Sequence, residues 1–576
     1  MRDGPSKPNV VLVITDDQGY ADLGCTGNPW LLTPAIDRFQ EESVRLTDFH
    51  VSPLCTPTRG ALMTGRRPVR NGAWATTWGR SLLSSDEVTM ADVFAANGYR
   101  TGLFGKWHLG DNFPYRPQDR GFRTAVWHKG GGVGQVPDYW GNNYFDDTYF
   151  HGDEARPHTG YCTDIWFEEA LGWIEDAKDE PFFAYISTNA PHFPYLVEER
   201  YEAPYRDDPD IAHPDFYGMI ANIDENFGRL RERLGEWGIE RDTILIFMTD
   251  NGSSGACEVD ADGFVTRGYN AGMRGKKGSY YDGGHRVPFF IRWPAGGIDD
   301  GRDVRDMTLH LDVLPTLIDL CGLAPPDGVV FDGTDIAPLL RGRRDGVTGD
   351  RTHSVQYRQG TDPPRMWDNA VMTRRWRLIG GKELYDIADD PGQRNDVADE
   401  HPDVVGRLRA AHEQWWQEVS EGIEPYCPLS IGADEENPTR LDAFDVHGDV
   451  AWQQGVVAMA RKTAARWAVK VERPGIYRFG LRRWPEELGR PIHAACTCME
   501  AWKLCPIQPI WELGRIEPDR ARLVLFGREY DSAVHRGDVE ATFEVELERA
   551  GETFLEAWFV GPEEEQGAYY VYVERL

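Results

Sequence analysis

Unbroken apolar runs closed by acidic or amide residues recur along the first half of this chain. Residues 10–14 are all aliphatic and lead at once into Thr15-Asp16-Asp17-Gln18-Gly19, and residues 243–248 lead into Thr249-Asp250-Asn251-Gly252. A strand apolar on both faces predicts burial inside a mainly parallel sheet. Residues 182–187 predict another. Stretches at helical spacing lie between them: 35–42 after Thr33-Pro34, 90–97 ending at Gly98, and 217–234. Strands alternating with helices predict a layered α/β domain, and polar strand ends are where such a sheet usually holds its site.

The pattern then changes twice. After a helix predicted over 312–320, a Gly/Pro-rich stretch to Pro338 marks a boundary; strand signals at 376–379 and a helix at 404–419 predict a small α+β unit. From about 445, alternating segments at 467–471, 475–481, 521–526, 539–547 and 569–573 predict an all-β appendage. The expected architecture is therefore α/β: a large mixed sheet flanked by helices over 1–360, a small α+β subdomain over 361–440, and a β-rich unit over 441–576.

Composition narrows the function. Of 576 residues, 94 are acidic and 62 basic, a formal charge of -32. A field of that sign argues against nucleic acid or an anionic membrane as partner. An anionic substrate would need local Arg, Lys and metal charges to reverse the potential. Residues 1–8 are short and polar and 10–14 are only strand-sized, with no secretory or membrane-spanning segment ahead of them, so the expected location is cytoplasmic. Nine cysteines form an odd, sparse set that does not predict a disulfide framework.

Asp16, Asp17, Asp250 and Asn251 form the clearest metal candidate. A turn at each strand end can bring neighbouring side chains inward, and three carboxylates with an amide oxygen suit Ca²⁺ or Mg²⁺. The same residues are also common turn formers. Around Cys55 the chain reads Ser52-Pro53-Leu54-Cys55-Thr56-Pro57-Thr58-Arg59-Gly60. Pro57 can open a helix, which places Cys55 and Arg59 near its positively polarised end, where an anion would meet backbone donors. A buried inert Cys beside a structural Arg is the alternative.

Cys55-Thr56-Pro57-Thr58-Arg59 with Thr64-Gly65-Arg66 resembles the signature of the type I sulfatases, in the alkaline-phosphatase-like superfamily. Gly105-Lys106-Trp107-His108-Leu109-Gly110 resembles that family's second signature. The resemblance continues, in the family's order, through Asn189-Ala190-Pro191-His192, Asp250-Asn251-Gly252 and Gly275-Lys276-Lys277-Gly278-Ser279. It implies that Cys55 is converted, by a formylglycine-generating enzyme, to Cα-formylglycine. The hydrated aldehyde is a geminal diol: one oxygen attacks sulfur, the alcohol leaves, and the other hydroxyl drives elimination of inorganic sulfate. The implied metal ligands are Asp16, Asp17, Asp250, Asn251 and the modified residue 55, with Ca²⁺ the usual ion and Mg²⁺ its substitute. Arg59 would polarise the residue 55 oxygen; Lys106 and Lys277 would neutralise sulfate oxygens; His108 would orient or deprotonate the diol; His192 would serve the leaving group. Lys277 is preferred to Lys276 because it fills the Lys-Gly-(Ser/Thr) position. Asp282 replaces the family's frequent Glu. Leu384-Tyr385-Asp386 with Asp389-Asp390-Pro391 and Asn395 resembles the family's C-terminal subdomain.

The resemblance implies a sulfuric-ester hydrolase acting on a small-molecule or carbohydrate sulfate ester. A phosphonate or phosphate ester hydrolase of the same superfamily and a catalytically silent sulfated-glycan-binding protein are the competing readings. In the tail, Cys496, Cys498, Cys505 and His493 lack usable zinc spacing, and Trp484 and Trp502 are expected in the core rather than on a sugar platform.

Overall fold

The computed structural model describes residues 7–343, 348–423, 425–497 and 513–576. Its largest element is a ten-stranded mixed sheet, in the spatial order Asp303–Val304, Val44–Leu46, Phe289–Arg292, Thr243–Thr249, Asn9–Thr15, Phe182–Ser187, Arg100–Lys106, Thr124–His128, Thr148–His151 and Glu154–Pro157. The five strands from Thr243–Thr249 to Thr124–His128 are mutually parallel; the outer ones are largely antiparallel.

Alternation along the first strand explains why it reads as continuously apolar. Val10, Leu12 and Ile14 face one core, with Leu62 and Met63 of the Cys55–Thr64 helix and Leu314 and Leu317 of the Val313–Cys321 helix. Val11 and Val13 face the other, with Ile36, Ile165, Ile174, Ile223 and Phe227 from the helices Pro34–Glu42, Cys162–Ala177 and Pro214–Glu236. Both faces are covered, as buried parallel strands require. The predicted helix at 90–97 is Met90–Ala96, started by a capping box in which Thr89 and Asp92 satisfy each other's backbone donors.

The small unit is a four-stranded antiparallel sheet, His353–Gln356, Asn369–Met372, Trp376–Ile379 and Glu383–Asp386, covered by the helix Pro402–Val419 through Val404 and Leu408. Its first strand precedes the expected start at 361, because four residues carry too little alternation to announce a strand. The β-rich unit is a sandwich. One sheet is built on Arg466–Val471, Gly551–Val560 and Arg520–Leu525, the other on Thr439–Asp442, Tyr570–Arg575, Gly475–Arg482 and Ala541–Leu547. It also begins before 441, with Leu429–Ile431 paired parallel to Arg466–Val471. The sandwich core takes in Leu82, Tyr115 and Val136 from the first unit, so the two share a hydrophobic interior. Trp484 is buried in that core, 5.4 Å from Trp140. Cys498, Cys505 and Trp502 lie outside the described residues. No described helix is long and apolar enough to cross a membrane.

Candidate active site

Parallel register brings the carboxyl ends of four strands to one edge. Thr15 lies opposite Thr249, and Ser187 opposite both Ile14 and Gly105. Asp16 and Asp17, Asp250 and Asn251, and Lys106 therefore leave the sheet side by side, all buried. Asp17 takes φ 68°, which breaks the strand's alternation and keeps both neighbouring carboxylates inside one site. Pro57 does not open the helix as expected: Cys55 is its first residue, with Leu54 as N-cap. Proline is tolerated in the first turn, where backbone N–H groups have no intrahelical acceptor. Cys55 thereby sits at the positive end, 2 % exposed.

Donor atoms of Asp16, Cys55 and Asp250 lie within 4.8 Å of one another. Asn251 Nδ2 donates to Asp17 Oδ1 at 3.0 Å, and the Asp17 N–H donates to Asp250 Oδ1 at 3.0 Å. Around these acids stand three cations, Lys106 and Arg59 fully buried and Lys277 partly exposed to the cavity. Lys106 Nζ is 2.6 Å from Asp16 Oδ2, and Lys277 Nζ is 2.5 Å from Asp17 Oδ1. Arg59 donates to Asp250 Oδ2 through Nε at 3.0 Å and Nη2 at 2.8 Å, and to Ser187 Oγ through Nη1 at 2.5 Å. Lys276 turns away, toward the Cys257 carbonyl at 3.4 Å. The choice between two adjacent lysines is thus made by side-chain direction.

Electrostatics follow burial and pairing. Burial penalises the Asp17 carboxylate, but Lys277, His192 and Lys106 outweigh it and hold its pKa below the ordinary range. Burial and the neighbouring Asp16 push Asp250 up to about 7 despite Arg59. Burial likewise raises the Cys55 thiol, so residue 55 as cysteine is a protonated thiol rather than a nucleophile. Burial lowers both histidines, His192 to about 4 and His108 well below its usual value. Both are neutral at pH 7.

His192 Nδ1 donates to the Phe193 carbonyl at 2.6 Å, which leaves Nε2 for the cavity, 3.8 Å from Asp17 Oδ2. His108 contacts the Thr76 carbonyl through Nε2 at 2.9 Å and takes φ 60°. Gly131 lets that ring lie against the backbone, since a Cβ there would stand 2.4 Å from His108 Cε1. Cys55, His108, His192 and Lys277 line one cavity of about 320 Å³. The site residues expected from sequence are therefore gathered in one place. Sequence reasoning missed Ser187, although it ends a predicted strand, and the outer cavity wall of Trp78, Gln135, Phe444 and Trp452, for which no motif gave a signal. Asp282 lies away from the cavity lining. Its carboxylate accepts from Arg377 Nε at 2.8 Å and its N–H donates to Gln393 at 2.7 Å, binding the small sheet to the first unit.

Two buried oxygens at the strand ends are left to accept a ligand. Asp16 Oδ1 and Asn251 Oδ1 are buried with no hydrogen-bond partner among the described residues, and an all-oxygen set fits a hard divalent cation. An acidic cation cradle, ringed by lysine and arginine at the carboxyl edge of an α/β sheet, defines a hydrolase of anionic esters. The family model described as sulfatase matches residues 8–323, and that of the C-terminal part of N-sulphoglucosamine sulphohydrolase matches 275–416. The chain belongs to the sulfatase family and is a sulfuric-ester hydrolase. It is 34% identical to human arylsulfatase A over 369 residues, covering 58% of this chain and 68% of that protein. It is 30% identical to an ulvan-active sulfatase of Formosa agariphila over 434 residues, 69% of this chain and 78% of that one. Among solved structures, Ps i-CgsB in complex with k-i-k-neocarrahexaose superposes with TM-score 0.64 at 26% identity, over 73% of this chain and 94% of that chain.

Proposed function

We propose that residue 55 works as Cα-formylglycine, installed on Cys55 by a formylglycine-generating enzyme, and that the protein releases inorganic sulfate from the sulfate ester of an aryl or carbohydrate alcohol. The observation that carries this reading is the buried convergence of Asp16, Asp250 and Cys55 beside unpartnered oxygens on Asp16 and Asn251. Asp16, Asp17, Asp250 and Asn251 would hold Ca²⁺, with Mg²⁺ a substitute of the same hard-oxygen class, and the ion would supply positive charge beside the oxygen of residue 55. Arg59, fixed by Asp250 and Ser187, orients that oxygen. Lys106 and Lys277 neutralise sulfate oxygens as charge develops. His108 positions or deprotonates the diol on residue 55, and His192, with Nε2 toward the cavity, serves the leaving oxygen once Nε2 carries a proton, since its Nδ1 proton is held by the Phe193 carbonyl. The relatives' names span aryl, steryl, ulvan and N-acetylgalactosamine-6-sulfate chemistry, which supports a ring-bearing alcohol.

Peptide mass spectrometry across residue 55, with and without carbonyl labelling, tests the proposal on a preparation assayed in parallel with an aryl sulfate and an aryl phosphonate. An aldehyde at residue 55 and dominant sulfate release are expected. Active enzyme that retains a free thiol, or dominant phosphonate turnover by fully modified protein, would overturn it.

A further inference from the structure

The outer wall of the catalytic cavity is built partly by the β-rich unit. Phe444 and Trp452 line it together with Trp78 and Gln135 of the first unit. Trp452 is 43% exposed, whereas Trp484 in the same unit is 1% exposed. A large indole left open on a cavity wall is apolar area that a bound ring would remove from water.

Its position is fixed by backbone bonds across the unit boundary. The Trp452 carbonyl accepts from the Val136 N–H at 3.3 Å, and Gln453 pairs with Gln135 in an isolated bridge. Gln454, 1% exposed, donates through Nε2 to the carbonyls of Gln135 and Tyr139 at 3.1 Å each, and its Oε1 accepts from the Gly141 N–H at 2.9 Å. The Trp78 N–H donates to the Phe444 carbonyl at 3.2 Å, a second bond across the unit boundary, with Trp78 held at φ 66°. A bulky residue in that conformation is strained by about 1 kcal/mol or more, and such strain persists where the surroundings dictate it.

Polar groups complete the wall. Gln135 Oε1 accepts from the Gly131 N–H at 2.8 Å, and its Nε2 has no partner among the described residues. Thr77, also on the wall, has a buried hydroxyl with no partner among the described residues. Lys277 is the only Lys or Arg among the described residues lining the cavity, and Asp17 already pairs with it. The wall therefore offers aromatic faces and neutral hydrogen-bonding groups but no cation for a second anionic substituent, in a chain of formal charge -32.

We propose that Trp452 and Gln135 form the leaving-group subsite for a single uncharged sugar ring. The apolar face of the ring lies on the indole, and its hydroxyls are met by Gln135 Nε2 and Thr77. A cavity of about 320 Å³ is at the small end of ligand sites, roughly 300–1,000 Å³, which suits one ring rather than a long polyanionic chain. This subsite rests on the sulfatase reading of residue 55.

The test uses full-length enzyme with aldehyde verified at residue 55. Substrates are hexose monosulfates covering every ring position, a disulfated disaccharide and 4-nitrophenyl sulfate. Trp452→Ala should raise KM for the preferred hexose monosulfate about tenfold, the scale of one lost aromatic contact, with kcat within about threefold. Trp452→Phe should recover most of the loss. Product inhibition by inorganic sulfate, which probes the cation end of the cavity, should not move. The subsite is overturned by an unchanged KM in Trp452→Ala, by preference for the disulfated disaccharide, or by turnover of 4-nitrophenyl sulfate with no sugar sulfate accepted. Failure of every sulfate ester despite the aldehyde would instead refute the reading of residue 55, and the subsite with it.

Discussion

Lys106 Nζ and Asp16 Oδ2 are 2.6 Å apart and both side chains are fully buried. Replacement Lys106→Met keeps the length and apolar stem of the side chain but removes its charge. Breaking a buried pair by deleting one partner costs about 3–5 kcal/mol, because the remaining charge stays desolvated. Asp16 retains one weaker neighbour, Arg59 Nη2 at 3.9 Å, which places the expected loss near the lower bound, about 3 kcal/mol in metal-free protein. At roughly 2.1 cal/mol/K of unfolding entropy per residue, and a catalytic unit of about 300 residues melting as one, this is a fall in Tm of about 5 °C. If Asp16 is a cation ligand, saturating Ca²⁺ supplies the missing positive charge, and most of that deficit disappears. Calorimetry of wild type and variant, each stripped with chelator and then saturated with Ca²⁺, checks the reasoning. The Ca²⁺-induced rise in Tm should be larger in Lys106→Met by most of those 5 °C. Equal rises in the two proteins, or a metal-free variant as stable as wild type, would refute the account of Lys106 as the charge that balances Asp16.

Three other outcomes follow from the same geometry. Lys277→Ala should lower kcat/KM at least about 100-fold, the scale of one lost donor at a developing charge, while Lys276→Ala stays within about threefold; steady-state kinetics on the pair would show an error if the two losses were alike. Gln454→Leu strands the Gly141 N–H and removes one of the two hydrogen bonds accepted by each of the Gln135 and Tyr139 carbonyls, at about 1–3 kcal/mol, and should lower Tm while raising KM for sugar sulfates. Burial pushes Asp22 up to about 7 and Asp138 up to about 8. A carboxyl whose folded pKa lies above its unfolded value contributes stability that is complete below about pH 4 and is lost as pH rises through 7–8. At saturating Ca²⁺, Tm at pH 8.5 should therefore lie below that at pH 5.5, and Asp138→Asn should flatten the slope; a slope unchanged by the substitution would count against this assignment.

Much of the candidate site is legible in the chain because its parts are short and local. An apolar strand that ends in Asp-Asp or Asp-Asn states its burial and its chemistry within ten residues, and helix starts such as Thr89 with Asp92 carry their own caps. His353–Gln356 and Leu429–Ile431 lie ahead of the unit starts that the sequence predicts, since they become strands only through partners elsewhere in the chain. Pro57 predicts a helix start two residues later than the observed Cys55, because proline is tolerated within the first turn as well as at its first position.

The amino-acid order alone determined the alternation of strands and helices, the acids at the strand ends and the sulfatase signature at Cys55, because each is written in adjacent residues. The tertiary structure decided which lysine turns inward, what Arg59 holds and what closes the cavity. Trp452 meets Val136 across more than three hundred residues, where the sandwich core takes in Leu82, Tyr115 and Val136. Contacts of that kind arise from packing between distant surfaces, which leaves no periodicity in the sequence of either one.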